Sequence, residues 1–169
     1  MYLIHIGNNS EFVEIDIRKR HGIDDWIRGD VEIKVRGFCA SISVDFEPID
    51  FQIFEAELRT LYENLSGQAE LRPREEQLTV TLKGNGRGGI EVNGAAWFVA
   101  CYGSKLDFEF EIDQTFLPTV LDQLSSVNAQ LQAIKNQAFC NRPIPVSRSI
   151  TVSGRSHRNK MNSLGRKYF

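Results

Sequence analysis

Cysteine is scarce in this chain of 169 residues: Cys39, Cys101 and Cys140 are the whole complement. The count is odd, the spacings are wide, and nothing resembles CxxC or a mixed Cys/His pattern. A disulfide framework and a zinc module are both disfavoured on that ground. Cys39 and Cys101 fall in strand-like runs and are expected as small buried or half-buried thiols. Long apolar runs are missing too. No stretch approaches the roughly 18 apolar residues of a membrane helix, and the opening MYLIHIGNNS has neither a basic n-region nor an apolar h-region. The expected location is therefore the cytoplasm, with no membrane partner.

Catalytic signatures are equally thin. GxSxG and HExxH do not occur. His5, His21 and His157 share no spacing with one another or with the cysteines, and Glu75 and Glu76 are adjacent at a strand start, so their side chains diverge. GNGRGG (Gly84–Gly89) lacks the Lys-Ser/Thr of a phosphate loop and leads from strand to strand. It reads as a hairpin turn built on Asn85-Gly86. The expectation is a protein without enzymatic activity, cofactor or metal; a site assembled from distant residues is the one route by which catalysis stays open.

The most conspicuous absence is of negative charge at the C-terminal end. The last acidic residue is Asp122, and from Gln123 to Phe169 there are eight basic residues: Lys135, Arg142, Arg148, Arg155, Arg158, Lys160, Arg166 and Lys167. Residues 1–122 hold 12 basic and all 22 acidic residues, a net of −10, against −2 for the whole chain. Such asymmetry speaks about partners, not about fold.

Period-2 alternation dominates the first third. Val13, Ile15 and Ile17 oppose Glu14 and Asp16; Val31, Ile33 and Val35 oppose Asp30, Glu32, Lys34 and Arg36; Phe38, Ala40, Ile42, Val44 and Phe46 oppose Cys39, Ser41, Ser43, Asp45 and Glu47. These are half-buried antiparallel strands. The period then becomes helical, with Phe54, Leu58, Leu61 and Leu65 on one face, Asp50 as N-cap and Gly67 as C-cap. Strands return at AELRP, EEQLTVTLKG, GIEVNGAAWFVACYG and KLDFEFEI, with Trp97 and Phe98 expected in the core. A second helix follows, capped by Asp113 or Thr115, with Leu117, Val120, Leu121, Leu124, Val127, Leu131 and Ile134 as its stripe. From Asn136 the pattern dissolves except for a possible short strand at Ser149–Val152. The predicted architecture is α+β: one mostly antiparallel sheet with two helices packed on one face, in the order strands, helix, strands, helix. Residues 1–135 would form an acidic core domain and 136–169 a basic, mobile tail.

If helices cover one face, the outward strand residues form the other. That face would carry nine acidic positions, Glu14, Asp16, Glu32, Asp45, Glu47, Glu91, Asp107, Glu109 and Glu111, against Arg18, Lys34, Arg36 and Lys83. An acidic face suits a basic protein partner and speeds association; an ordinary solvated face is the alternative. Trp26, beside Asp24 and Asp25 in a polar loop, is either an interface anchor or a plug at the core's edge. The candidate partner-binding residues are thus Glu14, Asp16, Asp24, Asp25, Trp26, Glu32, Asp107, Glu109 and Glu111. The basic tail offers non-specific contact to nucleic acid, although it lacks an RGG repeat, a dense basic block or regular stacking aromatics.

Three stretches carry a family resemblance. They are ELRTLYENLSGQAEL (Glu57–Leu71), EEQLTVTLKGNGRGGIEVNG (Glu75–Gly94) and LDFEFEIDQTFLPTVLDQL (Leu106–Leu124). Within them Leu61-Tyr62, Leu65, Gly67 and Ala69, then Gly89-Ile90-Glu91-Val92-Asn93-Gly94, then Asp113-Gln114-Thr115-Phe116-Leu117 resemble the recurring pieces of the WapI-type immunity proteins of bacteria. The likeness covers about residues 1–130 and leaves the basic tail unmatched. It implies an antitoxin-like protein that binds a cognate toxin domain, often a nuclease, and blocks it. The reading from charge alone that competes with it is a nucleic-acid-associated or assembly module acting through the tail.

Overall fold

In a computed structural model of the chain, which describes residues 2–20 and 26–140, eight strands and two helices alternate in two similar halves. The first half is β1 (Tyr2–Gly7), β2 (Phe12–Arg20), β3 (Ile27–Val35), β4 (Phe38–Phe46) and α1 (Pro48–Asn64). The second is β5 (Ser66–Leu71), β6 (Leu78–Asn85), β7 (Gly89–Val99), β8 (Tyr102–Asp113) and α2 (Leu117–Cys140), the last entered through a 3-10 turn at Gln114–Phe116. The class and the order of elements are those the alternation predicts. The strands, however, form two four-stranded antiparallel meanders, β1-β2-β3-β4 and β5-β6-β7-β8, and not the single sheet expected. α1 lies in the chain between the two sheets, and α2 follows the second.

Inward residues of both sheets share one core. Ile4, Val13, Ile15, Ile33, Val44 and Phe46 from the first, and Leu71, Val80, Leu82, Ile90 and Val92 from the second, are fully buried. β3 approaches β8 and β4 approaches β7 where the sheets meet. α1 contributes Phe51, Phe54, Leu58 and Leu61, each at most 1% exposed; burying side chains of this size stabilises by roughly 1.5–3 kcal/mol apiece. From α2 the buried side are Leu117, Val120, Leu121, Leu124, Val127 and Leu131. Asn128 links the two helices, its Nδ2 donating to the Phe51 carbonyl at 3.2 Å and to Glu55 Oε2 at 2.7 Å.

The caps differ in detail from the expected ones. Glu47, not Asp50, is the N-cap of α1; Asp50 stands at N3, where its Oδ2 accepts the Glu47 N–H at 2.7 Å, the reciprocal half of a capping box. Burial raises the Asp50 carboxyl above its ordinary value, the hydrogen bond from Glu47 working against that and the Glu47 charge adding to it. The helix ends on Leu65 in the left-handed region (φ 54°), its N–H reaching the Leu61 carbonyl at 2.7 Å. Gly67 lies beyond, inside β5. At the second helix Asp113 does cap, accepting the Thr115 N–H at 2.9 Å.

Each helix also protects an edge of the opposite half. Along β1, α2 supplies Gln123, whose Oε1 accepts the His5 N–H at 2.8 Å. Along β5, α1 supplies Glu57, whose Oε2 accepts the Glu70 N–H at 2.9 Å. An edge strand left bare would be a template for unwanted pairing. α2 continues to Cys140, through the limit anticipated for the core; the strand anticipated at Ser149–Val152 and the rest of the basic segment lie outside the described residues.

Candidate functional site

On the outward face of the first sheet, strand register builds two cross-strand rows: His5, Glu14, Glu32 and Ser41, and Leu3, Asp16, Asp30 and Ser43. Each row sets two carboxylates directly opposite each other, an arrangement that ordinarily destabilises a sheet. The Asp16–Asp30 pair is relieved locally. A bulge between Ile17 and Lys19 redirects Arg18, whose Nε stands 3.0 Å from Asp16 Oδ2 and 3.0 Å from Asp30 Oδ2. Ser43 Oγ donates to Asp30 Oδ1 at 2.7 Å. Asp16 is only 8% exposed despite facing outward, and its Oδ1 has no partner among the described residues. In the other row His5 Nδ1 lies 3.0 Å from Glu14 Oε2, and the imidazole packs on Phe12 with centroids 5.0 Å apart. Glu32 is exposed and has no ion-pair partner among the described residues.

A second acidic row runs along the outward side of β8. Asp107, Glu109 and Glu111 are all exposed. Glu111 stands opposite Glu91, Glu109 opposite Asn93 and Asp107 opposite Ala95. Among the described residues only Asp107 has an ion-pair partner: Lys105 Nζ at 2.5 Å, itself 5.4 Å from the centroid of Trp97. The candidate acidic residues are therefore not gathered on one open face. Glu14, Asp16 and Glu32 belong to one sheet and Asp107, Glu109 and Glu111 to the other, because the chain folds as two meanders. Asp24 and Asp25 lie outside the described residues. Glu47 has left the strand pattern to cap α1, with Arg74 3.6 Å away.

Trp26 is half-buried and lines a groove of about 920 Å³ between the outer side of β3–β4 and the far end of the β7–β8 hairpin. Arg28, Ser43, Asp45, Gln77 and Phe98 complete much of its wall. That hairpin end is what the sequence reading missed. Phe98, assigned to the core, is 68% exposed, with Val99 at 49% and Tyr102 at 76%; Trp97 is half-buried. A register shift between Trp97 and Val99 breaks the alternation, and the turn at Ala100-Cys101 takes a left-handed φ of 55° at Cys101. The available sign was that Gly103, Ser104 and Lys105 supply no apolar residue before alternation resumes at Leu106. Cys101 and Cys39 are exposed free thiols, not the buried ones anticipated. β4 does contain Cys39, but on its outward side near the hairpin with β3.

Among the described residues no group of three or more His, Cys, Asp and Glu is placed to hold a metal, and no helix is long and apolar enough to cross a membrane. The arrangement supplies charged rows and an exposed apolar knob, features of a surface that meets another macromolecule.

Two solved structures are similar to the chain at low identity. A chain from the crystal structures of Trypanosoma bruciei MRP1/MRP2 is 12% identical over 82% of this chain and 86% of that one, with a TM-score of 0.45. A chain of the CdiA-CT/CdiI toxin and immunity complex from Enterobacter cloacae is 13% identical over 68% of this chain and 97% of that one, with a TM-score of 0.40. No curated protein matches this sequence. The sequence model of the WapI-like immunity proteins matches residues 3–132, spanning both sheets and most of α2, and the chain belongs to the immunity protein WapI-like family.

Proposed function

We propose that this protein neutralises a cognate toxin domain by binding it stoichiometrically through its acidic outer surfaces, and that the toxin presents a basic face, as a nuclease does. The observation that carries the reading is the pairing of like charges across strands, Glu14 with Glu32, Asp16 with Asp30 and Glu91 with Glu111. A sheet selected for stability alone would alternate signs at such positions. Around these rows Arg18 is committed to Asp16 and Asp30 and Lys105 to Asp107, while Lys83, opposite Glu91, is the one cation of the row that holds Glu91 and Glu111. The outward field is thus left negative, and it steers a basic partner and disfavours polyanions. Occlusion of a toxin's substrate channel needs no chemistry from the inhibitor, in keeping with a role that is not enzymatic, and the cytoplasm is where such a toxin would be met.

The test is affinity capture from a native lysate, followed by an assay of the captured domain's toxicity. Full-length protein is compared with a chain ending after Cys140, the last residue of α2, with and without nuclease treatment, at low and high salt. One basic protein held by both forms, released by salt and silenced in a one-to-one complex, is the expected result. Capture by the full-length chain alone, lost on nuclease treatment, would transfer the function to the basic C-terminal segment and to nucleic acid.

A further inference from the structure

We propose that the outer edge of β8 is a docking edge, onto which an extended basic segment of the partner adds as a fifth strand of the second sheet. The inference rests on the reading of the chain as a protein-binding inhibitor and names the place and the chemistry of the contact. Four strands end the two sheets. Two of those edges, β1 and β5, are closed by helix side chains that hydrogen-bond their main chain. At β8, the longest strand at 12 residues, no hydrogen bond from outside the sheet reaches the main chain among the described residues. β4 is also terminal, but Asp45 is its one acidic residue, and its flank faces the groove beneath the hairpin.

The residues of β8 specify what would bind. Its outward side chains Asp107, Glu109 and Glu111 repeat every second residue, the spacing at which an added strand places its own alternate side chains. Lysine or arginine at those positions would stand opposite each carboxylate. The inward side chains Phe108, Phe110 and Ile112 remain 5–6% exposed, whereas Ile90 and Val92 on the next strand are at 0%. That slight exposure lies along the flank of β8, where apolar residues at the intervening positions of the added strand would continue the same face. The occupant is therefore a strand alternating basic and apolar residues, with main-chain hydrogen bonds supplying affinity and alternate side chains specificity. A second copy of this chain is a poor occupant, because edge-to-edge pairing sets one acidic row against another. At the hairpin end, Phe98, Val99 and Tyr102 offer an apolar anchor beside the same edge.

The test uses the full chain and a synthetic peptide alternating lysine and valine, long enough to span residues 107–113, with an alternating glutamate and valine peptide as control. Hydrogen exchange read residue by residue should show alternate β8 amides slowed by the first peptide and unaffected by the second. N-methylation of the lysine peptide on its pairing edge should abolish binding. Reversing Glu109 and Glu111 to lysine should weaken it by about 10-fold or more, the equivalent of roughly 1.4 kcal/mol, with circular dichroism unchanged. Protection elsewhere than β8, equal binding of both peptides, or indifference to N-methylation would overturn the proposal. So would slow exchange, in the unliganded chain, of those β8 amides that do not pair with β7, whether through dimerisation seen by sedimentation or through the chain's own C-terminal segment, because the edge would already be taken. None of these outcomes depends on the toxin, so a toxin complex that leaves β8 amides untouched would end this inference and leave the inhibitor reading standing.

Discussion

Gly94 is the position where a single methyl group does the most informative damage. It lies in β7 opposite Phe108 on one side and Val80 on the other. A Cβ built there would stand 2.1 Å from Phe108 Cζ and 2.5 Å from the Thr79 carbonyl oxygen. The ring can rotate away only by leaving a site where Phe108 is 6% exposed. The oxygen belongs to the β6 main chain and cannot retreat without straining the ladder. Overpacking of this kind costs about 1–3 kcal/mol, and loss of glycine's freedom in the unfolded chain returns roughly 0.4–1 kcal/mol. Gly94→Ala should therefore destabilise by about 1–2 kcal/mol, a sizeable part of the ~5–15 kcal/mol of a typical domain. Urea denaturation reads this as a lower midpoint at unchanged slope. In a Phe108→Ala background the ring contact is gone but the Thr79 oxygen remains, so the same substitution should cost less without becoming neutral, a coupling of about 1 kcal/mol. A loss under about 0.5 kcal/mol, the range of ordinary surface changes, or the same loss in both backgrounds, would refute the reasoning.

Asn128→Ala removes the buried donor to the Phe51 carbonyl and Glu55; a loss of about 1–3 kcal/mol should appear as a lower thermal midpoint, and an unchanged midpoint would mean the helices are held by their apolar stripes alone. Asp113→Ala removes the cap entering α2. The Thr115 N–H holds the Asp113 carboxyl below its ordinary value of 3.8, so its contribution is present above that value and is lost as pH falls through the lowered one; the variant's thermal midpoint should lack this acid-side fall, and an unaltered pH profile would contradict it. Asp50 has the opposite sign, raised by burial: its contribution is full below 3.8 and disappears as pH rises through the raised value, so Asp50→Asn should flatten stability against pH over that window when followed by denaturation. Charge reversal at Asp107, Glu109 and Glu111 together should weaken toxin binding by about 10-fold or more and reduce its salt dependence, measured by calorimetry, while the fold stays intact; an undiminished complex would remove the β8 row from the interface.

The two halves share one order of elements without a sequence repeat between them. Leu61, Leu65 and Gly84 show why the shared pieces are structural: a Cβ at Gly84 would meet the Leu65 carbonyl oxygen at 2.5 Å and Leu61 Cδ1 at 2.9 Å. The end of α1 thus sits directly on the β6–β7 hairpin, whose Gly86 N–H donates to that same Leu65 carbonyl at 2.8 Å. Asn85 Oδ1 holds the turn by accepting from the amides of Arg87 at 2.8 Å and Gly89 at 3.1 Å. These motifs build the scaffold that carries the charged rows, and they do not themselves identify a partner.

Side-chain period determined most of the elements from sequence alone. Alternation placed Val13, Ile15, Val31, Ile33, Phe108 and Phe110 inward, and the helical stripe placed Phe54, Leu58 and Leu61, because local geometry fixes which residues share a face. Asn85-Gly86 marked its turn, and Asp113 its cap, by the same local chemistry. Tertiary structure decided the rest. Period says which side of a strand is wet but not which strands are neighbours, so one sheet and two were equally compatible with the pattern. The division into two meanders separates Glu14, Asp16 and Glu32 from Asp107, Glu109 and Glu111. Whether an apolar residue is buried depends on how far its strand reaches past the core, which is why Phe98 and Tyr102 emerge exposed. Edges, too, are a property of assembly: only when α2 lies along β1 and α1 along β5 does β8 remain, among the described residues, as the acidic strand with an unpaired flank.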